Sequence, residues 1–233
     1  MSITMDDFEY FQSHVLKPDD TFKFTCKMCG KCCRNRETPI LITGNDVFYI
    51  AKALDIAPAN VIVKYTDCYI GHNSKIPVCT LLERPDGSCK LMRKSRCMVQ
   101  SMKPAVCALY PLGRMIDTRK MRYEYFTQPY GCSNSLNEDE HTLQEWIKEF
   151  GLDKREEEAF GWQKLAISAS EAMRKMKMQK TEKERENLNM LLLAALYLNY
   201  PQDCEYNESL KINQALLESK LPGFKMIESE VTE

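Results

Sequence analysis

The sequence predicts an α+β, helix-rich protein: a small metal-centred cysteine-cluster domain with a short β-hairpin, followed by a C-terminal helical extension. Two observations lead to this prediction. Cysteines are crowded between residues 26 and 132, and helical periodicity without clustered cysteines begins near residue 138. We therefore expect a cysteine-cluster domain over residues 1–135 and a helical extension over residues 136–233. The hydrophobic share of 44% is sufficient for a packed core.

The N-terminal lead-in, residues 1–21, is expected to be helical. Its apolar side chains keep helical spacing from Phe8 to Val15 and Leu16, and Pro18 ends the run. We expect this segment to pack as a strap against the core.

One strand and two helices are expected after the first cysteines. Residues 39–42 form a short apolar run that is typical of a buried strand. Thr43 can cap the following helix, and Asp46 near its start suits the positive end of the helix dipole. A second helix is expected to begin near Pro58, which the first turn of a helix tolerates. Residues 67–77 are expected to form a loop.

The later elements follow from the same patterns. Residues 112–116 and 121–126 are rich in β-forming side chains and are joined by a polar turn, which predicts a hairpin. Gly151 is a typical helix stop after an amphipathic stripe. Helices are expected over residues of about 143–150, 156–180, 182–199 and 209–220.

The most informative stretch is Cys26-Lys-Met-Cys29-Gly30-Lys-Cys32-Cys33, which places four sulfurs within eight residues. A hydrophobic core has no need of such crowding, because buried cysteines are normally scattered. A C-x-x-C turn points two sulfurs at one centre and is a common metal-binding arrangement. Gly30 fits such a turn, which often requires a positive φ.

Further cysteines recur downstream at intervals of eight to ten residues, a spacing that fits loops which each return one sulfur to a shared site. The candidate metal ligands are Cys26, Cys29, Cys32, Cys33, Cys89, Cys97, Cys107 and Cys132. Eight thiolates would satisfy two tetrahedral zinc sites or two iron–sulfur centres. Cys79 is a ninth candidate, so the division of the sulfurs among sites stays open.

The adjacent pair Cys32 and Cys33 bears on the number of sites. Neighbouring side chains of an extended backbone point to opposite sides, so we expect the two sulfurs not to share one ion readily. Cys68 and His72 are weaker candidates because neither has a close partner in the sequence. Cys204 is expected to be a free thiol.

Several classes of function lack support in the sequence. Arg36 stands where a bacterial ferredoxin run has its fourth cysteine, and the three histidines are too far apart for a classical zinc finger. No phosphate-binding glycine pattern is present. The formal net charge of −1 gives no argument for binding nucleic acid or an acidic membrane surface.

The sequence also indicates a cytoplasmic protein. Its first residues carry acids where a secretory signal would carry bases, and the longest apolar run, from Met190 to Leu198, is too short to span a membrane. In a reducing cytosol we expect the eleven cysteines to serve as metal ligands rather than disulfides.

The pattern resembles a known family. The residues Phe24-x-Cys26-x-x-Cys29-Gly30-x-Cys32-Cys33, then Cys89, Cys97 and Lys103-Pro104-x-x-Cys107-x-x-Tyr110-Pro111, resemble the YkgJ-type cysteine-cluster family. Lys103 replaces the usual arginine of that pattern and keeps its charge. The segment Leu41-Ile-Thr43-x-x-Asp46 and Cys132 also resemble the pattern of this family. The resemblance covers about residues 22–135 and implies chelation of zinc or iron, with an iron–sulfur cluster among the options. A flagellin lysine methylase carries a similar cysteine-rich region.

Three functional hypotheses follow. The first is a metal-binding module whose metal ions are held by the cysteines and whose C-terminal helices contact a protein partner or stabilise the site. The second is an iron–sulfur enzyme of redox or protein-methyl-transfer type, related to the flagellin lysine methylase. The third is a metal store or chaperone. We rank them in this order because no catalytic group or methyl-donor site is identifiable in the sequence, so an enzyme is not favoured.

Overall fold

The computed structural model describes residues 10, 13–36, 38–117, 122–128, 139–176 and 181–227. The protein has a mixed helix and sheet architecture, as the predicted α+β class requires. In the described residues, the strands pair into four small antiparallel sheets with the orders β1-β9-β8, β10-β2, β3-β5-β4 and β6-β7. The strands are β1 (Val15–Leu16), β2 (Thr21–Lys23), β3 (Leu41–Ile42), β4 (Thr66–Ile70), β5 (Pro77–Leu81), β6 (Met92–Arg93), β7 (Arg96–Cys97), β8 (Leu112–Asp117), β9 (Arg122–Thr127) and β10 (Glu140–Thr142).

Helices supply most of the remaining regular structure. The α-helices are α1 (Gly44–Leu54), α2 (Pro58–Tyr65), α3 (Ala105–Leu109), α4 (Leu143–Glu149), α5 (Leu152–Lys175), α6 (Glu182–Leu193) and α7 (Tyr206–Lys220). Short 3₁₀ turns occupy Lys31–Cys33 and Gln100–Met102, and a π-helical turn, Ala194–Leu198, extends α6. No helix of the described residues combines the length and apolar character needed to cross a bilayer.

Local sequence signals account for several of these elements. Thr43 caps α1: its side chain accepts a hydrogen bond from the Asp46 amide at 3.1 Å, and the Asp46 carboxylate accepts one from the Thr43 amide at 2.9 Å. Pro58 occupies the first turn of α2. The predicted hairpin is confirmed as β8 and β9, in register from Leu112 opposite Thr127.

One prediction for regular structure is wrong, and a second holds only in part. Val15 and Leu16 do not continue a helix but pair with Phe126 and Tyr125 along the edge of β9, which offers unpaired backbone groups to a short extended segment. Earlier in this segment, residues 10 and 13 are helical, and residues 1–9, 11 and 12 lie outside the described residues. The predicted loop over residues 67–77 is found only at residues 71–76, because its two ends belong to β4 and β5, which form a hairpin beside β3.

The end of the helix predicted over residues 182–199 also departs from a regular α-helix. The Trp162 indole donates a hydrogen bond to the Leu196 carbonyl at 2.7 Å within the π-helical turn. Gly44 lies against the same place, and a Cβ there would overlap the Leu196 carbonyl oxygen and the Trp162 ring. Close approach of α1, α5 and the π-helical turn therefore depends on a glycine at position 44.

Two hydrophobic clusters hold the fold together. The larger one combines α1 and the β3-β5-β4 sheet with side chains of α5, α6 and α7, including Val47, Cys79, Leu165 and Leu192. The smaller one packs α3 and the β8–β9 hairpin against α4 and the start of α5. Each cluster draws on residues from both sides of position 135, so the cysteine-rich segment and the C-terminal helices share their cores.

Candidate metal centre

The first cysteine run is shaped by a left-handed glycine followed by a 3₁₀ turn. Gly30 has φ 74°, as its place in the motif suggested, and the turn Lys31–Cys33 follows directly. A Cβ on Gly30 would come within 3.1 Å of the Met92 sulfur and 3.2 Å of the Ser95 carbonyl oxygen. The glycine therefore lets the first run lie against the β6–β7 hairpin.

Backbone hydrogen bonds join the first cysteine run to the second cysteine-rich block. The Cys89 amide donates to the Cys33 carbonyl at 2.8 Å, and Arg34 and Ser88 form an antiparallel bridge beside this contact. The Asn35 amide donates to the Gly87 carbonyl at 2.8 Å. Cys33 and Cys89 are thus brought together although 56 positions separate them in the sequence.

Cys97 and Cys107 are placed by two further elements. Cys97 ends the β6–β7 hairpin, where it pairs with Met92, and the Met92 amide donates to the Cys89 carbonyl at 2.9 Å. Cys107 lies on α3. The Cys107 amide donates a hydrogen bond to the Pro104 carbonyl at 2.9 Å and so closes the first turn of this helix.

The sulfurs of Cys32 and Cys33 lie 3.8 Å apart. This corrects the expectation that the adjacent side chains point to opposite sides. That expectation assumed extended backbone, whereas residues 31–33 form a 3₁₀ turn. Two thiolates bound to one tetrahedral zinc ion at about 2.3 Å would themselves lie about 3.8 Å apart. The spacing of this pair therefore fits a shared ion, and the pair no longer implies two sites.

Five of the thiols influence one another's pKa values. The hydrogen bond with Cys33, together with burial, raises the pKa of Cys32, and the same contact lowers the pKa of Cys33. The thiols of Cys107, Cys89 and Cys97 oppose that lowering of the Cys33 pKa. Mutual electrostatic influence of this kind requires the five sulfurs to share one region of the molecule.

Burial dominates the ionisation of the two downstream thiols. It raises the pKa of Cys107 to about 12, and Cys89 acts in the same direction. It also raises the pKa of Cys97, while the Lys103 ammonium acts weakly the other way. These two thiols are therefore protonated at neutral pH until a cation displaces their protons.

The remaining predicted ligands are placed differently. Cys26 and Cys29 are exposed on the segment that precedes Gly30. Cys132 lies outside the described residues. Within the part of the chain that is described, no three His, Cys, Asp or Glu side chains are close enough to form a ready coordination shell. The five neighbouring thiols thus supply suitable donors that would have to draw together around an ion.

Cys68 and Cys79 form a disulfide across β4 and β5, where they are directly opposed with a Cα–Cα distance of 4.3 Å. The expectation that the cysteines avoid disulfides is therefore wrong for this pair, and Cys79 is removed from the candidate ligands. The sequence alone does not predict this pairing, because it depends on the alignment of β4 with β5 in the hairpin. Cys204 is a free thiol, as predicted.

The three histidines make contacts that have no part in the sulfur group. His14 stacks on Tyr10, His72 contacts Asn73, and the His141 ring makes a hydrogen bond of 2.9 Å with the Phe24 carbonyl. The His141 contact, with the pairing of β10 and β2, ties the segment that leads to Cys26 to the start of α4. It positions backbone rather than supplying a ligand.

Basic side chains accompany the thiols. Lys103 is close enough to influence the pKa of Cys32 and Cys97, and Arg36 influences that of Cys107. Arg36 also pairs with Glu83 at 3.1 Å. Positive charge of this kind would partly offset the excess negative charge of a metal bound by several thiolates.

The chain was compared with known proteins at three levels. It matches no protein-family model, and no curated protein or solved structure is similar enough to indicate a relationship. The geometry of the cysteines and their pattern in the sequence are accordingly the basis for the functional proposal.

Proposed function

We propose that this chain is a metal-binding protein that chelates zinc or iron through clustered cysteine thiolates. The observation that carries the proposal is the Cys32–Cys33 sulfur pair at 3.8 Å, held beside Cys89 by the backbone hydrogen bond between Cys89 and Cys33. Sulfur-only donors suit both zinc and iron–sulfur clusters, so the metal is left as one of these two.

The proposal assigns the ligands from the residues that converge. Cys32, Cys33, Cys89, Cys97 and Cys107 would supply the thiolates nearest to one another, and Cys26, Cys29 and Cys132 complete the proposed set. A bound zinc ion would cross-link these segments, whereas an iron–sulfur cluster would add electron transfer. The similarity of the cysteine pattern to the YkgJ-type family supports the same proposal.

We further propose a cytoplasmic location, metal ions as partners and a protein partner contacted through the C-terminal helices, with no nucleic acid or membrane involved. The Cys68–Cys79 disulfide weighs against a cytoplasmic location, because disulfides are rare in reducing compartments. Trapping the thiols with an alkylating reagent during cell lysis would determine whether this pair is oxidised in the cell.

The decisive experiment is a measurement of zinc, iron and acid-labile sulfide in protein purified without oxygen, with its visible absorption spectrum. Zinc without sulfide would support structural thiolate sites. Iron with matching sulfide and a brown colour would support an iron–sulfur centre and shift the proposal towards a redox or methyl-transfer enzyme. Folded protein that binds neither metal would refute the proposal.

The ligand assignment has its own test. Replacing Cys33 with Ser should lower the metal content, because it removes one sulfur of the Cys32–Cys33 pair. The pKa of this thiol is also influenced by three other proposed ligands. Replacing Cys204 with Ser is the matched control, since that thiol is also free and partly exposed but lies on the segment before α7. Equal metal content in the two variants would refute the assignment.

A further inference from the structure

Asp46 joins three segments that are distant in sequence. One carboxylate oxygen, Oδ2, accepts hydrogen bonds from the Thr43 amide at 2.9 Å and the Thr43 hydroxyl at 3.0 Å. The other, Oδ1, accepts from the Ala105 amide at 2.9 Å and from Arg155 Nη2 at 3.2 Å. A single side chain thus caps α1 and holds the first amide of α3.

Arg155 completes this junction from the side of α5. Its Nη1 donates to the Lys103 carbonyl at 3.0 Å, and its guanidinium lies 4.3 Å from the centre of the Tyr49 ring. The Arg155 and Asp46 side chains are only 8% and 4% exposed. Charges so deeply buried must be paired, so each holds the other in a fixed position.

Both side chains act on the backbone that leads to Cys107. Arg155 donates a hydrogen bond to the Lys103 carbonyl, and Asp46 accepts one from the Ala105 amide. The Pro104 carbonyl, which lies between these two contacts in the sequence, accepts a hydrogen bond from the Cys107 amide. The helix that carries Cys107 has five residues, too few to be stable by itself. Its position is therefore set by these outside contacts.

We infer that Arg155 and Asp46 are positioning residues that fix the Cys107 thiol for metal binding. The inference rests on the proposed metal-binding function and extends it, because it assigns a role at the cysteine group to a residue of the C-terminal helices. Side chains that orient metal ligands typically alter metal affinity by about 10- to 100-fold when they are replaced.

A second polar contact between the same two helices provides a matched control. Glu158, one turn beyond Arg155 on α5, accepts hydrogen bonds from Asn45 at 2.8 Å and Tyr49 at 2.9 Å. Among the described residues, the hydrogen bonds of this carboxylate all go to α1. Replacing it with Gln removes the negative charge from this contact of α1 with α5 and leaves the backbone of residues 103–107 with its partners.

The first readout is the rate at which a chromogenic chelator removes zinc from the full-length, zinc-loaded protein. Arg155→Lys keeps the charge opposite Asp46, but one ammonium group cannot reproduce the guanidinium fork that also reaches Lys103. We expect R155K to lose zinc about 10-fold faster than the wild type. E158Q should lose zinc at the wild-type rate. Equal rates in R155K and E158Q would overturn the inference.

The second readout does not depend on metal. In metal-free protein, iodoacetamide alkylation of Cys107 is followed by mass spectrometry, with Cys89 as the internal reference. R155K should speed alkylation of Cys107 while Cys89 is unchanged, and E158Q should change neither. If the wild type retains no zinc, the proposed function fails, and the alkylation of Cys107 still decides whether Arg155 positions it. Unchanged Cys107 reactivity in R155K would refute the positioning role.

Discussion

Reduction of the Cys68–Cys79 disulfide should destabilise the protein measurably. The two residues face each other on β4 and β5, and Cys79 is fully buried in the larger hydrophobic cluster. Breaking the bond leaves both thiols in the same apolar surroundings, with no charge introduced. The main consequence is therefore the added freedom of the unfolded chain.

The size of the effect follows from the loop that the disulfide closes. The two cysteines are 11 residues apart. For a closed loop of about this length, the chain-entropy relation gives a stabilisation of about 3 kcal/mol at 25 °C. Residual structure in the unfolded chain reduces such values, so about 3 kcal/mol is an upper bound for the loss on reduction.

The assay is urea unfolding followed by circular dichroism, with and without a phosphine reductant, after mass spectrometry has confirmed the state of the two thiols. A Cys68→Ala, Cys79→Ala double variant is the control, because the reductant then has no disulfide of this hairpin to act on. The wild type should lose stability on reduction and the double variant should not respond. A wild type whose unfolding midpoint is unmoved by reduction, or a variant that responds equally, would refute the reasoning.

Two further predictions concern the packing of α1 and the protons of the thiols. Gly44→Ala should cost about 1–3 kcal/mol of unfolding free energy, because the new methyl group would press on the Leu196 carbonyl and the Trp162 ring. Gly161→Ala is its control, since a Cβ there meets only the flexible Leu210 side chain, and similar thermal shifts in both variants would contradict the argument. Zinc affinity, measured by competition with a chelator of known pH behaviour, should rise as pH increases. The raised pKa of Cys97 and Cys107 keeps both protonated at neutral pH, so zinc must displace their protons. A zinc affinity that does not change between pH 6 and 8 would show that these thiols are not ligands.

Features that depend on neighbouring residues could be predicted from the sequence. The Thr43 cap with Asp46, the start of α2 at Pro58 and the β8–β9 hairpin each arise from side chains a few positions apart. The crowding of cysteines is likewise a local property, and it identified the segments that the fold brings together. For such features, the free energy that selects the structure is contained within a short stretch of chain.

Other features required contacts between distant residues. The strand at Val15–Leu16 exists because β9 offers it a free edge, and the π-helical turn accompanies a hydrogen bond from Trp162. The disulfide depends on the alignment of two strands, which a loop interpretation of residues 67–77 concealed. In each case contact with a remote segment decided the conformation.

The sequence by itself determined which residues are available for metal chemistry: sulfur donors in number, a glycine able to take a positive φ, and few histidines. Only the tertiary structure decided which thiols are neighbours, that Cys32 and Cys33 point the same way, and that Arg155 reaches the Lys103 carbonyl. The physical reason is that donor chemistry belongs to the individual side chain. Convergence of donors instead depends on packing and hydrogen bonds between segments whose separation no local pattern encodes.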